Sequence, residues 1–191
     1  MKKIRKESKA INAYNDGLVV FLYDEANGKE IQKADPSLLE AFSDEDAADP
    51  KLAVLAKKGL LVAYELEQDD ELSIEVSVGK PLTDQEMESG RWHSVQRAPI
   101  HLPSGKLHIE GYGNFRLSPD YDPDEEPGAV VKVPSGDYLL SLYHTNWEAL
   151  EEDGLWDDSK DWRGPVQVVT LTPAADAEPV ANPAPMLHFV R

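Results

Sequence analysis

The sequence predicts a mainly β protein, an antiparallel β-sandwich with short helical insertions. Three observations predict it. Runs of alternating hydrophobicity recur, as in Leu60, Val62, Tyr64 and Leu66 against Glu65 and Glu67, and a period of two marks a half-buried strand. Turn signals punctuate these runs, above all the near-identical Leu102-Pro103-Ser104-Gly105-Lys106 and Val133-Pro134-Ser135-Gly136-Asp137, where Pro fixes φ and Gly supplies a left-handed residue. Helical patterns are few and short. Many strands with few helices argue for two packed sheets. A chain of 191 residues accommodates one such domain, assigned to residues 1–172, followed by a Pro- and Ala-rich tail, residues 173–191, read as an extended linker.

Taken in order, the basic leader with Lys2, Lys3, Arg5, Lys6 and Lys9 reads as a frayed terminus. Gly17 to Tyr23 is apolar on both alternating faces, which suits a buried central strand. Asn27-Gly28 signals a tight turn. Asp35-Pro36 opens a helix over Ser37 to Phe42, and Asp49-Pro50 opens one over Lys51 to Lys58 that Gly59 caps, each with Asp as N-cap and Pro in the first turn. Leu60 to Leu66 and Leu72 to Val78 read as an antiparallel hairpin with one wet face. Thr83 and Glu86 form a capping box for a short helix that Gly90 closes. The centre of the sheet is expected within Ile100 to Trp147, as runs Leu107 to Leu117 and Ala129 to Tyr143 separated by the acidic loop Ser118 to Gly128. The twin Pro-Ser-Gly turns read as hairpin corners. Asn146 to Asp153 suits one more helical turn, Pro165 to Thr172 the last strand, and Leu187 to Val190 an edge strand or a loose end.

Charge bounds function. The chain carries 36 acidic against 19 basic residues, a formal charge of −17, so its field repels nucleic acid and anionic lipid and favours a basic protein partner. Direct nucleic-acid binding and membrane attachment are therefore not expected. It has no cysteine, which excludes disulfides, thiolate nucleophiles and zinc–thiolate sites. No run approaches the ~20 apolar residues of a membrane helix, and no apolar segment follows the basic leader. The expected compartment is the cytoplasm.

The motifs carry little chemistry. Asp120-x-Asp122-x-Asp124 imitates the start of a calcium loop, but Glu126 stands where glycine is needed and Val131 where the bidentate Glu belongs. His93, His101, His108, His144 and His188 show no zinc spacing, although His101, His108 and His144 could still meet on neighbouring strands. Gly111-Tyr112-Gly113-Asn114 lacks the lysine and third glycine of a phosphate loop and reads as a strand bend. No nucleophile elbow is present. Accordingly no catalytic residue, metal ligand or cofactor is assigned. The expected partner-binding surface is the segment Trp147, Glu151, Glu152, Trp156, Asp157, Asp158 and Trp162, joined by the loop acids Asp120, Asp122, Asp124, Glu125 and Glu126. Tryptophan anchors amid carboxylates suit recognition of lysine and arginine. The competing readings are a loop folded over its own aromatic cluster, a carbohydrate- or small-molecule-binding module with tryptophan stacking platforms, and an unrecognised hydrolase.

The run Pro99-Ile100-His101-Leu102, then Gly105-Lys106-Leu107-His108-Ile109-Glu110, Leu117, and Val133-Pro134-Ser135-Gly136-Asp137-Tyr138-Leu139-Leu140 resembles the bacterial competence-associated DNA-entry nuclease inhibitor family. The resemblance spans about residues 60–147. It implies a β-sandwich of bacterial origin and a nuclease-inhibitor-like role. Ser135 stands where that family tends to have lysine, and the acidic loop, the Trp147 to Trp162 segment and the tail exceed its pattern.

Overall fold

The computed structural model describes residues 7–15, 19–34, 50–66, 70–118, 121–124, 128–155 and 165–178. In chain order the strands are β1 (Lys9–Asn15), β2 (Val19–Tyr23), β3 (Leu61–Glu65), β4 (Asp70–Val78), β5 (Trp92–Leu102), β6 (Lys106–Gly111), β7 (Ala129–Lys132), β8 (Gly136–Thr145) and β9 (Gln167–Pro173). The helices are α1 (Gly28–Ala34), α2 (Pro50–Lys57), α3 (Asp84–Gly90) and α4 (Trp147–Glu152). One sheet runs β1-β4-β9-β8-β5 and the other β3-β2-β6-β7. The fold is the expected mainly β sandwich, with one departure from antiparallel pairing. Strands β4 and β9 run parallel, Ile74 opposite Gln167 through Val78 opposite Leu171.

The principal core lies between the sheets. Leu72, Ile74, Val76, Leu140, Leu142, Val169 and Leu171 of the first sheet meet Val20, Leu22, Val62, Tyr64, Leu107 and Ile109 of the second. The strand period of two sends the alternate residues outward, and on the second sheet these make another core. Val19, Phe21, Tyr23, Leu61 and Ala63 are roofed by Ile31 of α1, Leu55 of α2 and Phe115. That is why β2, apolar on both faces, is buried along its whole length.

Several local expectations need correction. The stretch from Leu60 to Val78 is not a hairpin: β3 pairs with β2 and β4 with β1 and β9, so the chain changes sheets between them. Nor is the outer face of β4 wet, since Glu75 and Ser77 are buried. The twin turns are likewise sheet crossings, from β5 to β6 and from β7 to β8. They lie against each other, with Val133 N–H donating to the Gly105 carbonyl at 2.8 Å. Gly105 has φ +69, and a Cβ there would collide with the Val133 carbonyl oxygen, so its backbone geometry requires glycine. Asn27-Gly28 does not turn the chain tightly, because Asn27 ends a 3₁₀ turn and Gly28 starts α1.

Helix α2 starts at Pro50 and ends at Lys57 beside Gly59, which has φ +68, as its sequence signals require. Helix α3 has the expected capping box, Thr83 with Glu86, but Arg91 in the left-handed conformation caps it instead of Gly90. Gly90 is needed for space, since a Cβ would run into the Trp92 indole. Strand β6 stops at Gly111, short of Leu117. Strands β1 and β5 were not expected from the sequence. The helix over Ser37 to Phe42 and the Leu187 to Val190 strand fall outside the described residues.

Candidate functional site

Strand directions sort the connections into two ends. Strands β4, β5 and β9 begin, and β3, β6 and β8 finish, at one end of the sandwich, linked there by the short passages from β1 to β2 and from β3 to β4. Helix α4 follows β8, α3 leads into β5, and the acidic loop leaves β6 and rejoins at β7, all at this end. Helices α3 and α4 therefore share one pole of the molecule, whereas the loop carrying Asp122 and Asp124 has only its strand roots there, because the segment after β6 runs back to α1, with Leu117 against Gly28 and its carbonyl accepting from Gln32 Nε2 at 3.4 Å.

At that pole α4 is fixed by its cap and one anchor. Asn146 Oδ1 accepts the Ala149 N–H at 3.1 Å, which satisfies an otherwise unpaired amide of the first turn, and Leu150 is buried. Glu148, Glu151 and Glu152 are exposed, and the last turn carries no base. Carboxylates at a helix C-terminus oppose the helix dipole, at a cost of a few tenths of a kcal/mol each. Arg91 ties α3 to α4: its Nε approaches Asp153 Oδ2 at 2.5 Å, its guanidinium donates to the Glu88 carbonyl, and its own carbonyl accepts the Asn146 N–H at 2.7 Å. Exposed Glu88 of α3 thus joins the acidic pole. Sequence reading missed it, and its signal was the capping box that made α3 a helix leading straight into β5.

Of the residues expected to bind a partner, Glu151 and Glu152 are exposed on α4 and Trp147 is half-buried at its first position. Asp122 and Asp124 are exposed in the β6–β7 loop, where Asp122 Oδ1 accepts the Asp124 N–H at 2.9 Å. Asp120, Glu125, Glu126, Trp156, Asp157, Asp158 and Trp162 lie outside the described residues. Trp92, the remaining tryptophan, is buried against Leu82, Tyr143 and Val168.

A second polar constellation sits on the outer face of the second sheet. The side chain of Glu110, fully buried, accepts from Tyr23 Oη at 2.6 Å and from the Arg116 N–H at 3.0 Å, and pairs with Arg116 Nε at 2.9 Å. Buried His108 holds Nδ1 3.4 Å from Glu110 and Nε2 3.8 Å from Glu25, which is exposed. Burial, reinforced by the Glu110 charge, drives the Tyr23 hydroxyl far above its ordinary pKa, so it stays a donor. The network anchors the segment after β6, whose Phe115 packs on Phe21 with ring centroids 4.4 Å apart. Neither Glu110 nor His108 is open to a substrate. Asp24, next along, accepts from Ser104 Oγ at 2.7 Å, Ser104 N at 2.9 Å and Ala26 N at 2.9 Å. Its burial works to raise its pKa, and these hydrogen bonds outweigh that and lower it.

The histidines do not converge as their strands suggested. His101 pairs with Asp137 at the opposite end, while His108 faces outward from the second sheet. His144 meets His93 instead, ring centroids 5.8 Å apart across β5 and β8. Burial, then the neighbouring His93, depresses the His144 pKa to about 4, and burial lowers that of His93. Glu75 and Glu110, a possible acid pair in sequence, lie on the outer faces of different sheets. Among the described residues no group of three or more His, Asp or Glu is arranged to hold a metal ion, and no helix is long and apolar enough to cross a membrane.

No protein-family model and no curated protein matches the chain. Among solved structures it is similar to a chain described as crocagin biosynthetic gene J, at 20% identity over 88% of this chain and 96% of that one, with a TM-score of 0.48. It is also similar to ComJ, inhibitor of the DNA degrading activity of NucA, from Bacillus subtilis, at 12% identity over 87% and 96% of the two chains, TM-score 0.47. The structure thus has a weak resemblance to the nuclease-inhibitor family that the strand and turn motifs resembled. Likeness at this level decides neither function nor partner, which are argued from the site.

Proposed function

We propose that this is an acidic binding protein that masks the cationic surface of a basic protein, in the manner of an inhibitor or immunity-like partner of a nuclease, and that it works in the cytoplasm. The observation supporting this most is the gathering of exposed Glu88, Glu148, Glu151 and Glu152 at one pole, where Arg91 is already paired with Asp153. Water-facing carboxylates close together on short capped helices form a preset anionic surface, which steers a cationic protein into contact and discriminates against other partners. The absence of cysteine suits a reducing compartment. A tryptophan-platform reading gains nothing from Trp92, which is buried. A hydrolase reading gains nothing from Glu110 and His108, which are enclosed.

The test is association with purified basic nucleases, followed by stopped flow. The on-rate is expected to fall at least tenfold between low and high salt. The triple variant Glu148→Lys, Glu151→Lys, Glu152→Lys should lose binding while keeping its circular dichroism. Binding unchanged by salt and by the triple reversal would remove the acidic pole from the account.

A further inference from the structure

The pole opposite the acidic one carries lysines that the fold brings together. Lys106 of β6 stands directly across from Lys132 of β7, and Lys9 of β1 donates its Nζ to the Lys132 carbonyl. Like charges directly opposite on a sheet are destabilising. Among the described residues neither Lys106 nor Lys132 has a carboxylate partner in an ion pair, and both are exposed. Val130, on the same face of β7, is 40% exposed. The trio therefore presents positive charge beside an apolar side chain on a protein whose net charge is −17.

Whether net or local charge governs this patch is a question of distance. Lys132 ends β7, a short turn leads into β8, and α4 begins just beyond the other end of β8. The ten residues of β8 span about 33 Å, roughly four Debye lengths at physiological salt. Each pole is then screened from the other, and the sign of the lysine patch is set locally by Lys9, Lys106 and Lys132 against exposed Glu25, beside His108, and exposed Asp137, which is paired with His101.

We propose that the lysine patch is a docking surface for the acidic pole of a second copy of this chain, giving weak head-to-tail association. The two surfaces match in chemistry. Lys9, Lys106, Lys132 and exposed Val130 on one copy face Glu148, Glu151, Glu152 and Leu155, 58% exposed, on the next. Contact between different patches is heterologous, so it extends the assembly instead of closing it as a twofold dimer. The patches are small against the ~1,000 Å² of a stable interface, and the association is accordingly transient. It does not depend on the acidic pole also taking a foreign protein, and such a protein would compete with it.

Sedimentation velocity over a concentration series tests this. At about 0.15 M salt the weight-average mass is expected to climb above the 21.2 kDa of one chain and to keep climbing past twice that value. At about 1 M salt screening dissolves the assembly, and at about 0.01 M the longer Debye length lets whole-molecule repulsion dissolve it too. The variant Lys106→Glu, Lys132→Glu and the variant Glu148→Lys, Glu151→Lys, Glu152→Lys should each stay monomeric alone and associate when mixed, because mixing restores opposite poles. A wild type that is monomeric at every salt, a mass that stops at a dimer, or association indifferent to both reversals would overturn the proposal. So would lysine-dependent retention on a heparin column by a protein that never exceeds one chain mass, which would give the patch to a foreign polyanion.

Discussion

Removing the Glu110 carboxylate tests whether the buried network holds the segment that leads into the acidic loop. The carboxylate takes one hydrogen bond from Tyr23 Oη, one from the Arg116 amide and an ion pair from Arg116 Nε, all with its own side chain inaccessible to water. Breaking a buried pair by deleting one partner costs about 3–5 kcal/mol, because the other charge is stranded. Arg116 retains 30% exposure and can turn toward solvent, which puts Glu110→Ala near the lower end, about 3 kcal/mol. Glu110→Gln keeps the shape and one acceptor but turns an amide N–H toward existing donors, and should cost about 2 kcal/mol. Guanidinium unfolding measures both. Tyr23→Phe in each background completes a double-mutant cycle, with coupling expected at about 1 kcal/mol or more. Hydrogen exchange at the Arg116 amide should quicken in the Glu110 variants before global unfolding does. A Glu110→Ala cost below about 1 kcal/mol, the level of an ordinary surface substitution, with the Arg116 amide still protected, would show that the packing of Phe115 and Leu117 holds the segment without the carboxylate.

Three further outcomes are expected. The depressed His144 pKa means the unfolded chain takes up that proton first, so stability contributed by the neutral imidazole is present above about pH 6.5 and lost as pH falls toward 4, by up to about 3 kcal/mol; denaturation curves at pH 7 and pH 5 should lie closer together in His144→Gln than in the wild type, with His93 keeping part of the difference. Gly105→Ala places a Cβ against the Val133 carbonyl at positive φ and should destabilise by about 2 kcal/mol or more, read as a lowered melting temperature. Thr83→Ala removes the N-cap of α3 and should cost about 1 kcal/mol, with little change in the mass-action behaviour above.

Sandwich class, β2, α2, the α3 capping box, α4 and β9 could be read from sequence because each advertises itself locally. Pro50, Thr83 with Glu86, and Asn146 are cap signals that act within one turn. Pairing was not legible. Alternation told that Leu60 to Leu66 and Leu72 to Val78 were strands, but two strands in sequence form a hairpin or split between sheets with the same pattern, and only the partners of β4 decide it. Strand β5 was hidden for another reason. Its Trp92 points outward, an irregularity between Ser94 and Gln96 shifts the register, and Pro99 breaks the usual signal, which an edge strand tolerates. Strand β1 offers only Ile11 and Ala13 to the core. At the site, acid-rich segments were visible as composition, whereas the meeting of α3 and α4 at one pole follows from strand direction, and Glu88 enters only through Arg91.

The unequal treatment of the two poles explains how the fold tolerates its charge. At the lysine pole the crossings from β5 to β6 and from β7 to β8 are minimal and hydrogen-bonded to each other through Gly105 and Val133, and Asp24 is saturated by Ser104 and Ala26. At the acidic pole the excursions after β6 and after β8 are rooted by Glu110 with Phe115 and by Asn146 with Leu150, and the Arg91–Asp153 pair holds the second just beyond α4. Core packing and crossing geometry carry the stability, so carboxylates can accumulate beyond those roots at little cost to the sandwich. Charge reversal on α4 should therefore alter association and leave the unfolding midpoint nearly fixed, whereas Gly105→Ala should lower the midpoint and leave salt-dependent association intact wherever the protein remains folded. If the two readouts moved together in both variants, recognition and folding would share residues, and the separation of poles would have no functional meaning.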